Sequence, residues 1–276
     1  YSDASSRTFE KEMEFSSKSS QALELYSKGK YSKAINLYKE AIKINSHNAS
    51  AHSFLGSAYS ELGKHEEAIE ECKLGVKLAP NEALRYYSLG DVYFNAKKYN
   101  EAIKASKKAI ELDPNNWIHH RLLASAYLDA EMFDEAISEF KKTIEIDPTV
   151  AENQYGLGLA YGTAKKFFQA ETQYKKVIQI DPNYYRAYYN LGAMAAKTGD
   201  YVDSKKWYKK VLELEPDLEK AKMSYAGANY MIGAEHLLSN NYKEAINAFK
   251  ESILYAPDTG ESHHKLSEAY FFDKKI

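Results

Sequence analysis

The six prolines of this 276-residue chain fall on one ladder, and this regularity limits the fold more than any other feature. The first five are 34 residues apart, and the last interval is 41, which is seven residues longer. Proline cannot continue a helix, and the residue after each proline is Asn, Thr or Asp, all of which favour a helix N-cap. The ladder therefore predicts helices that stop and restart once in every unit. The prolines are Pro80, Pro114, Pro148, Pro182, Pro216 and Pro257.

Between the prolines, the pattern predicts two helical segments in each unit. The first carries a Leu-Gly pair with an aromatic residue three positions after the glycine, as in Leu89-Gly90 with Tyr93. The second carries alanine and an aromatic residue four positions later, as in Ala136 with Phe140, which places both on one helix face. Each unit is therefore predicted to be a helical hairpin that packs through small residues. The turn signals between the two segments include Gly29-Lys30, Gly63-Lys64 and Gly199-Asp200.

These residues resemble the tetratricopeptide repeat family, whose unit has small residues at its eighth, twentieth and twenty-seventh positions and proline at its thirty-second. The resemblance covers about residues 15–273. It implies an all-α fold, a right-handed superhelical solenoid of antiparallel helix pairs that stack to share one core. Three local departures are Cys72 at an aromatic position, Ser46 in place of a proline, and Ser204 in place of an alanine.

The resemblance also implies where the repeats begin and end along the chain. Residues 1–14 are predicted to be an N-terminal lead-in or cap, and residues 15–276 the solenoid. The seventh repeat is seven residues longer, about two helical turns, so Leu218 to Ser239 is predicted to be one long helix. It either projects beyond the stack or reflects simple length drift between repeats. The predicted repeats are 15–48, 49–82, 83–116, 117–150, 151–184, 185–218, an extended 219–259 and a partial 260–276.

The partial eighth repeat contains only a first helix, from Glu261 to about Phe272, and its outer face carries Leu266 and Phe271. Terminal elements of a solenoid normally present a polar outer face. Either the natural chain continues, or this end contacts a partner or a second copy. The start at Tyr1 instead of Met also suggests a fragment. An intracellular location and an exported one, with a signal or anchor removed, both fit the sequence.

Composition excludes several classes of function. Lys and Arg total 37 and Asp and Glu total 39, so the net charge of -2 argues against binding nucleic acid. The single cysteine, Cys72, cannot form an internal disulfide. No run of eighteen apolar residues is present, so no membrane span is predicted.

In the family, particular positions of each first helix face the concave groove, and the resemblance assigns those positions here. A row of tyrosines at a fixed step would give flat, amphipathic area for a bound peptide, flanked by Arg186 and Lys197. The alternative is that tyrosine is simply abundant, at 24 residues, and that some of these rings pack helices. The predicted groove residues are Tyr87, Asp91, Phe94, Asn95, Arg121, Ser125, Asp129, Tyr155, Leu159, Tyr189, Asn190 and Tyr230.

Other motifs are interpreted as structural. Gly156-Leu157-Gly158 lies inside a predicted helix with no strand before it, so it is expected to serve packing and not phosphate binding. His52, His120 and His263 recur at a position that packs an aromatic residue in the family, so they are expected to be core or boundary residues.

The carboxylate clamp of the family's heat-shock co-chaperones is absent. Position 25 of each of the seven full repeats is lysine. Such a row is more typical of a solvent-exposed helix face than of a surface that binds an acidic partner. These lysines are Lys39, Lys73, Lys107, Lys141, Lys175, Lys209 and Lys250.

No nucleophile, base and orienting group occur together, so we expect no enzyme activity, no cofactor and no metal site. The leading hypothesis is a protein–protein interaction scaffold that holds an extended peptide or a helix of a partner in its groove. One alternative is a scaffold that self-assembles through its C-terminal end as a homo-oligomer. Another is a docking or regulatory segment of a larger enzyme.

Overall fold

A computed structural model describes residues 2–274, with side chains from residue 8 onwards. These residues form fifteen α-helices and no strand, which confirms the predicted all-α class. None of the helices in this described range is long and apolar enough to cross a bilayer. The chain divides into two compact units, the first ending at Pro148 and the second beginning at Thr149.

Unit 1 consists of four helical hairpins. Each odd-numbered helix packs on the even-numbered helix that follows it, and each even-numbered helix that is followed by another hairpin of the unit also packs on the first helix of that hairpin. The first helix is longer than the others and includes much of the predicted lead-in. The helices are α1 (Ser2–Ser27), α2 (Tyr31–Ile44), α3 (Ala49–Glu61), α4 (His65–Leu78), α5 (Ala83–Asn95), α6 (Tyr99–Leu112), α7 (Trp117–Asp129) and α8 (Phe133–Ile146).

Unit 2 consists of three hairpins and one further first helix, paired in the same way. The helices are α9 (Ala151–Thr163), α10 (Phe167–Ile180), α11 (Tyr185–Lys197), α12 (Tyr201–Leu214), α13 (Glu219–Leu238), α14 (Tyr242–Tyr255) and α15 (Gly260–Asp273).

The turn inside each hairpin contains one residue in the left-handed region. Gly29, Gly63 and Gly199 have φ of 69°, 71° and 82°. Glycine adopts this conformation at little cost, so these turns follow from the sequence. At the equivalent position the other hairpins hold residues with a side chain, at φ between 57° and 61°. They are Lys97, Glu131, Lys165 and Asn240.

The predicted N-caps are wrong by one residue. Asn183 follows Pro182, yet α11 begins at Tyr185 and its N-cap is Tyr184. The reason is that Pro182 and Asn183 are the two central residues of a β-turn, a position that proline favours. The turn is closed by a hydrogen bond of 3.1 Å from Tyr184 N to Asp181 O. The other helices that follow a proline have their N-caps at Glu82, Asn116, Val150, Leu218 and Thr259.

Close approach within a hairpin depends on glycine in the first helix. A Cβ atom placed on Gly158 would lie 2.6 Å from Cε1 of Tyr174, and one on Gly192 would lie 2.9 Å from Cε1 of Tyr208. The rings of Tyr174 and Tyr208 therefore occupy the space of the missing side chains. This contact identifies Gly158 as a packing residue, as predicted.

The seventh repeat contains the long helix that the sequence predicts, α13, which has 20 residues. Its first two turns do not project, because Ala221 and Tyr225 are buried there. Both belong to a cluster with Tyr208 and Val211 of α12. Further along the helix, Ala228, Asn229 and Gly233 are also buried, which favours length drift between repeats over a projecting extension.

Candidate functional site

The predicted groove residues lie on the first helices of the hairpins, and we call this side of each unit its first-helix face. In unit 1 the face is formed by α1, α3, α5 and α7. In unit 2 it is formed by α9, α11, α13 and α15.

The first-helix face of unit 1 contains an acidic and aromatic cluster around Asp91. Tyr26 Oη donates a hydrogen bond to Glu61 Oε1 at 3.5 Å. Burial, together with the nearby Glu61 carboxylate, raises the pKa of Asp91 from 3.8 to about 6, and Arg121 opposes this rise. Burial and the Asp91 carboxylate also raise the pKa of Tyr87. This part of the face disfavours additional negative charge.

The remaining predicted residues of unit 1 make local contacts. Asn95 Nδ2 donates to Ser60 Oγ at 3.1 Å. The Arg121 guanidinium lies over the Trp117 ring at 5.4 Å from its centroid, which holds the cation at the surface. Among the others, Phe94 packs on Tyr99, Ser125 is half-buried, and Asp129 is exposed.

In unit 2, Tyr155 is fixed by three neighbours. Asn190 Nδ2 donates to Tyr155 Oη at 3.3 Å. The ring centroids of Tyr184 and Tyr174 lie 5.1 and 5.8 Å from that of Tyr155. Burial raises the pKa of Tyr155, so the hydroxyl stays protonated and is available as a donor. Two predicted residues, Tyr155 and Asn190, are therefore brought together.

Tyr189 is held in the same way one repeat later. Tyr189 Oη lies 3.3 Å from Ser224 Oγ, and its ring centroid lies 5.3 Å from that of Tyr208. Lys220 Nζ lies over the Tyr189 ring at 4.6 Å. Tyr155 and Tyr189 thus serve packing, as one interpretation expects, and both remain half-buried at the face.

Polar contacts between neighbouring first helices recur at a separation of 35 residues. Because the repeat is 34 residues long, a separation of 35 pairs each residue with the residue that directly follows its equivalent in the next repeat. These pairs were not predicted from the sequence, although their constant separation could have revealed them. They are Tyr26 with Glu61, Ser60 with Asn95, Tyr155 with Asn190, and Tyr189 with Ser224.

A pocket of about 320 Å³ opens beside Asn190 and Leu159, two of the predicted groove residues. A second pocket, of about 360 Å³, is also lined by Phe167, Met194 and Lys197, so the two adjoin. The aromatic walls were missed, because Phe167 lies at the first position of a second helix. We call these two cavities together the α11 pocket. Its other lining residues include Thr163, Phe168, Tyr174, Leu191 and Trp207.

Tyr230 is not beside Tyr189. It packs on Phe249, with centroids 5.8 Å apart, and borders a cluster that includes Leu237 and Leu266. The added residues of α13 cause this difference. The start of α13 keeps the 34-residue register with α11, which places Lys220 at the Tyr189 ring, whereas its end is shifted by seven residues.

Three lysines of the row at position 25 lie over a tyrosine ring of the following repeat. Lys39 Nζ is 5.4 Å from the Tyr59 centroid, and Lys107 Nζ is 5.6 Å from the Tyr127 centroid. In unit 2, Lys250 makes the same contact with Tyr270 at 5.4 Å. The lysine spacing is therefore explained, at these positions, by contacts within the chain.

Family models for the tetratricopeptide repeat match most of the sequence. The matched residues are 22–63 (described as TPR repeat), and 49–82, 83–116, 122–150, 151–184, 185–218 and 226–259 (described as tetratricopeptide repeat). No curated protein matches the sequence.

Several solved structures are similar. The C-terminal part of a TPR repeat-containing protein from Cytophaga hutchinsonii is 21% identical, with a TM-score of 0.72, over 89% of this chain and 98% of that one. MamA is 29% identical, with a TM-score of 0.54, over 60% of this chain and 97% of that one. YrrB, described as a TPR protein with an unusual peptide-binding site, is 22% identical, with a TM-score of 0.52, over 67% and 95%. The repeated hairpins and the family models together show that this chain belongs to the tetratricopeptide repeat family.

Proposed function

We propose that this chain is a scaffold without catalytic activity of its own, and that it binds an extended segment of a partner protein on the first-helix face of unit 2. The observation that carries the proposal is the α11 pocket, which opens directly beside Leu159 and Asn190. Its volume lies in the lower part of the range typical of ligand pockets. Proteins of this repeat family commonly act in protein–protein interactions, and YrrB is described as having a peptide-binding site.

The chemistry of the face suits a peptide. Tyr155 and Tyr189 offer broad apolar surface with few rotatable bonds, so that binding orders little. Their hydrogen-bonded neighbours fix the rings before a ligand arrives, which lowers the cost of association further. Asn190 uses its Nδ2 group on Tyr155, and its Oδ1 atom is an acceptor for a peptide N–H group.

The test is selection of peptides from a random display library on the full chain, followed by calorimetric titration of the enriched sequences. A variant with Tyr155→Ala and Tyr189→Ala should lose roughly tenfold or more in affinity, as central interface aromatics often do. The matched control, Tyr201→Ala with Tyr242→Ala, removes two rings at the starts of second helices and should bind normally. Circular dichroism checks that each variant stays helical.

Asn190→Ala provides a gentler change that leaves the aromatic packing in place, and it should also weaken binding. The proposal is wrong if no peptide is enriched, or if the enriched peptides bind the tyrosine variant and the wild type equally well.

Self-association is the second candidate, and exposed apolar residues near the last hairpin favour it. Leu238 and Leu254 are 86% and 75% exposed, and Phe271 is 56% exposed. Light scattering over a concentration series distinguishes the two functions. A mass that rises steadily with concentration would favour assembly, whereas a constant monomer mass would favour a role in ligand capture.

A further inference from the structure

Three cations on the first-helix face of unit 2 lie over aromatic rings. Arg186 and Lys197 are near the two ends of α11, and Lys220 is in the first turn of α13. The distances to the ring centroids are 5.9 Å for Arg186 over Tyr185, 5.8 Å for Lys197 over Phe167, and 4.6 Å for Lys220 over Tyr189. Lys197 is therefore held at the surface beside the α11 pocket, and Arg186 and Lys220 are held at the surface beside tyrosines.

Acidic residues on this face do not neutralise these cations. Helix α11 contains no acidic residue. On its neighbours, Glu219 pairs with Lys222, whereas Glu152, which accepts a hydrogen bond from the neutral Tyr184 hydroxyl, and Glu235 keep their charges. Within the described part of the chain, Arg186, Lys197 and Lys220 have no ion-pair partner. Helices α9, α11 and α13 together contain four Lys and Arg residues and three Asp and Glu residues, so their net charge is +1, and α11 alone contributes +2.

Carboxylates do occur at the far side of the pocket, on α10 and α12, and each has a partner there. Glu171 pairs with Lys175 at 2.6 Å, and Asp203 lies 3.9 Å from Lys206. Asp200 caps α12 by accepting a hydrogen bond from Asp203 N. Asp200 has no cationic partner among the described residues, so its charge remains at this edge of the pocket, which Lys197 also lines but Arg186 and Lys220 do not.

The α11 pocket offers the complementary feature, an apolar surface without cover. Phe168 is 79% exposed and Phe167 is 43% exposed at its edge. Leu191, Met194 and Trp207 complete the apolar lining. A large apolar side chain that entered the pocket would remove these groups from water.

We propose that unit 2 recognises an extended partner segment that carries an acidic side chain for Arg186 and Lys220 and a bulky apolar side chain for the α11 pocket. This inference rests on the proposed function and names the chemistry of its ligand. Arg186 and Lys220 are 34 residues apart, at the same position of adjacent repeats. Axes of packed helices are about 8–10 Å apart, so both long side chains can reach one carboxylate between them.

The length of α11 sets the spacing within the ligand. Arg186 and Met194 are separated by eight residues, which corresponds to about 12 Å at about 1.5 Å of rise per residue. An extended chain covers about 3.3 Å per residue, so the acidic and apolar residues should be about four positions apart. Residues i and i+4 of an extended segment point to the same side, as binding to one face requires.

The experiment uses calorimetric titration of the full chain with short synthetic peptides. Each peptide is acetylated and amidated, so that the only charge comes from one glutamate, and one phenylalanine follows four positions later in a serine and alanine background. We expect the glutamine analogue to bind at least fivefold more weakly. An analogue without phenylalanine, and one with the two residues adjacent, should also bind more weakly.

Protein variants assign the contacts. Arg186→Gln with Lys220→Gln should abolish the preference for glutamate over glutamine. The matched control Lys176→Gln removes an exposed lysine of α10 that has no ion-pair partner among the described residues, and it should keep the preference. Added salt should weaken binding of the glutamate peptide more than binding of its glutamine analogue.

Two results would overturn the inference. One is equal affinity for the glutamate peptide and its glutamine analogue. The other is stronger binding by a glutamine peptide with a free C-terminus, which would assign the cations to a chain end. If library-selected peptides bind through Tyr155 and Tyr189 but contain no acidic residue, the proposed function stands and only this inference fails. Absence of binding by any peptide would remove both.

Discussion

His120 Nδ1 lies 2.8 Å from Glu139 Oε2, and the other ring nitrogen, Nε2, lies 3.0 Å from the Pro114 carbonyl oxygen. One buried imidazole thus joins the first helix, the second helix and the preceding turn. His52 repeats the arrangement, 2.6 Å from Glu71 and 3.1 Å from the carbonyl oxygen six residues before it. These two histidines are structural, as expected from the sequence, but they are polar bridges and not apolar packing groups.

Replacing the bridge should destabilise unit 1. His120→Leu keeps most of the side-chain volume and leaves the Glu139 carboxylate without this partner, so we expect a loss of about 1–3 kcal/mol in the free energy of unfolding. Urea denaturation followed by circular dichroism measures it. Lys108→Ala removes an exposed ion pair with Glu111 and serves as the control, with an expected change below about 1 kcal/mol. Equal effects of the two changes would show that the bridge contributes no more than an exposed ion pair.

The left-handed turn residues give a second prediction. Lys97 and Glu131 have φ of 57° and 61°, a conformation that costs a residue with a side chain about 1–2 kcal/mol. Lys97→Gly and Glu131→Gly should therefore raise the free energy of unfolding by about 0.5–1 kcal/mol each, after the entropy cost of glycine. The reverse change, Gly63→Ala, should lower it. Thermal denaturation of the three variants tests this ranking of their stabilities. A Lys97→Gly variant that is less stable than wild type would contradict the prediction.

Much of the fold could be predicted because the repeat imposes it. Pro182 and the residues around it recur in each unit, so the helix pairs and their approximate ends follow from spacing alone. Lys97 carries no such signal, because its turn conformation is imposed by the two packed helices and not by its own preference. Similarly, the contact between Asn190 and Tyr155 depends on the 35-residue offset between adjacent helices. Tyr230 was predicted to line the groove, and its packing on Phe249 was not predicted, because the sequence does not show where seven added residues enter a continuous helix.

The half-buried carboxyl of Asp91 predicts a pH dependence for unit 1. Its pKa is raised to about 6 in the folded chain, above the usual 3.8 that applies when unfolded. The folded state therefore holds the proton more tightly, and this contribution to stability is complete below pH 4 and is lost as pH rises through about 6. Glu61 on α3 strengthens the effect, and Arg121 on α7 weakens it.

The substitution Asp91→Asn should remove this loss of stability at rising pH. We expect the variant to be more stable than wild type at pH 8, by on the order of 1–3 kcal/mol, and to differ little at pH 4. Urea denaturation at pH 4, 6 and 8 measures the difference. Glu66→Gln, at an exposed position on α4, is the control and should leave the pH profile as it is. A stability difference between Asp91→Asn and wild type that stays constant from pH 4 to pH 8 would argue against this account.

Glycines of the first helices allow a final, matched prediction. Gly158→Ala places a methyl group 2.6 Å from the Tyr174 ring, so the ring must move or the helices must separate. Overpacking of this kind costs about 1–3 kcal/mol, and it should also disturb Tyr155, whose ring packs on Tyr174. Gly227 lies inside α13, and a methyl group added there would meet no atom of another residue within 4 Å, so Gly227→Ala should instead stabilise the chain by about 0.5–1 kcal/mol. Because both changes add the same methyl group within a helix, opposite signs in thermal denaturation would identify ring contact as the cause, and equal signs would exclude it.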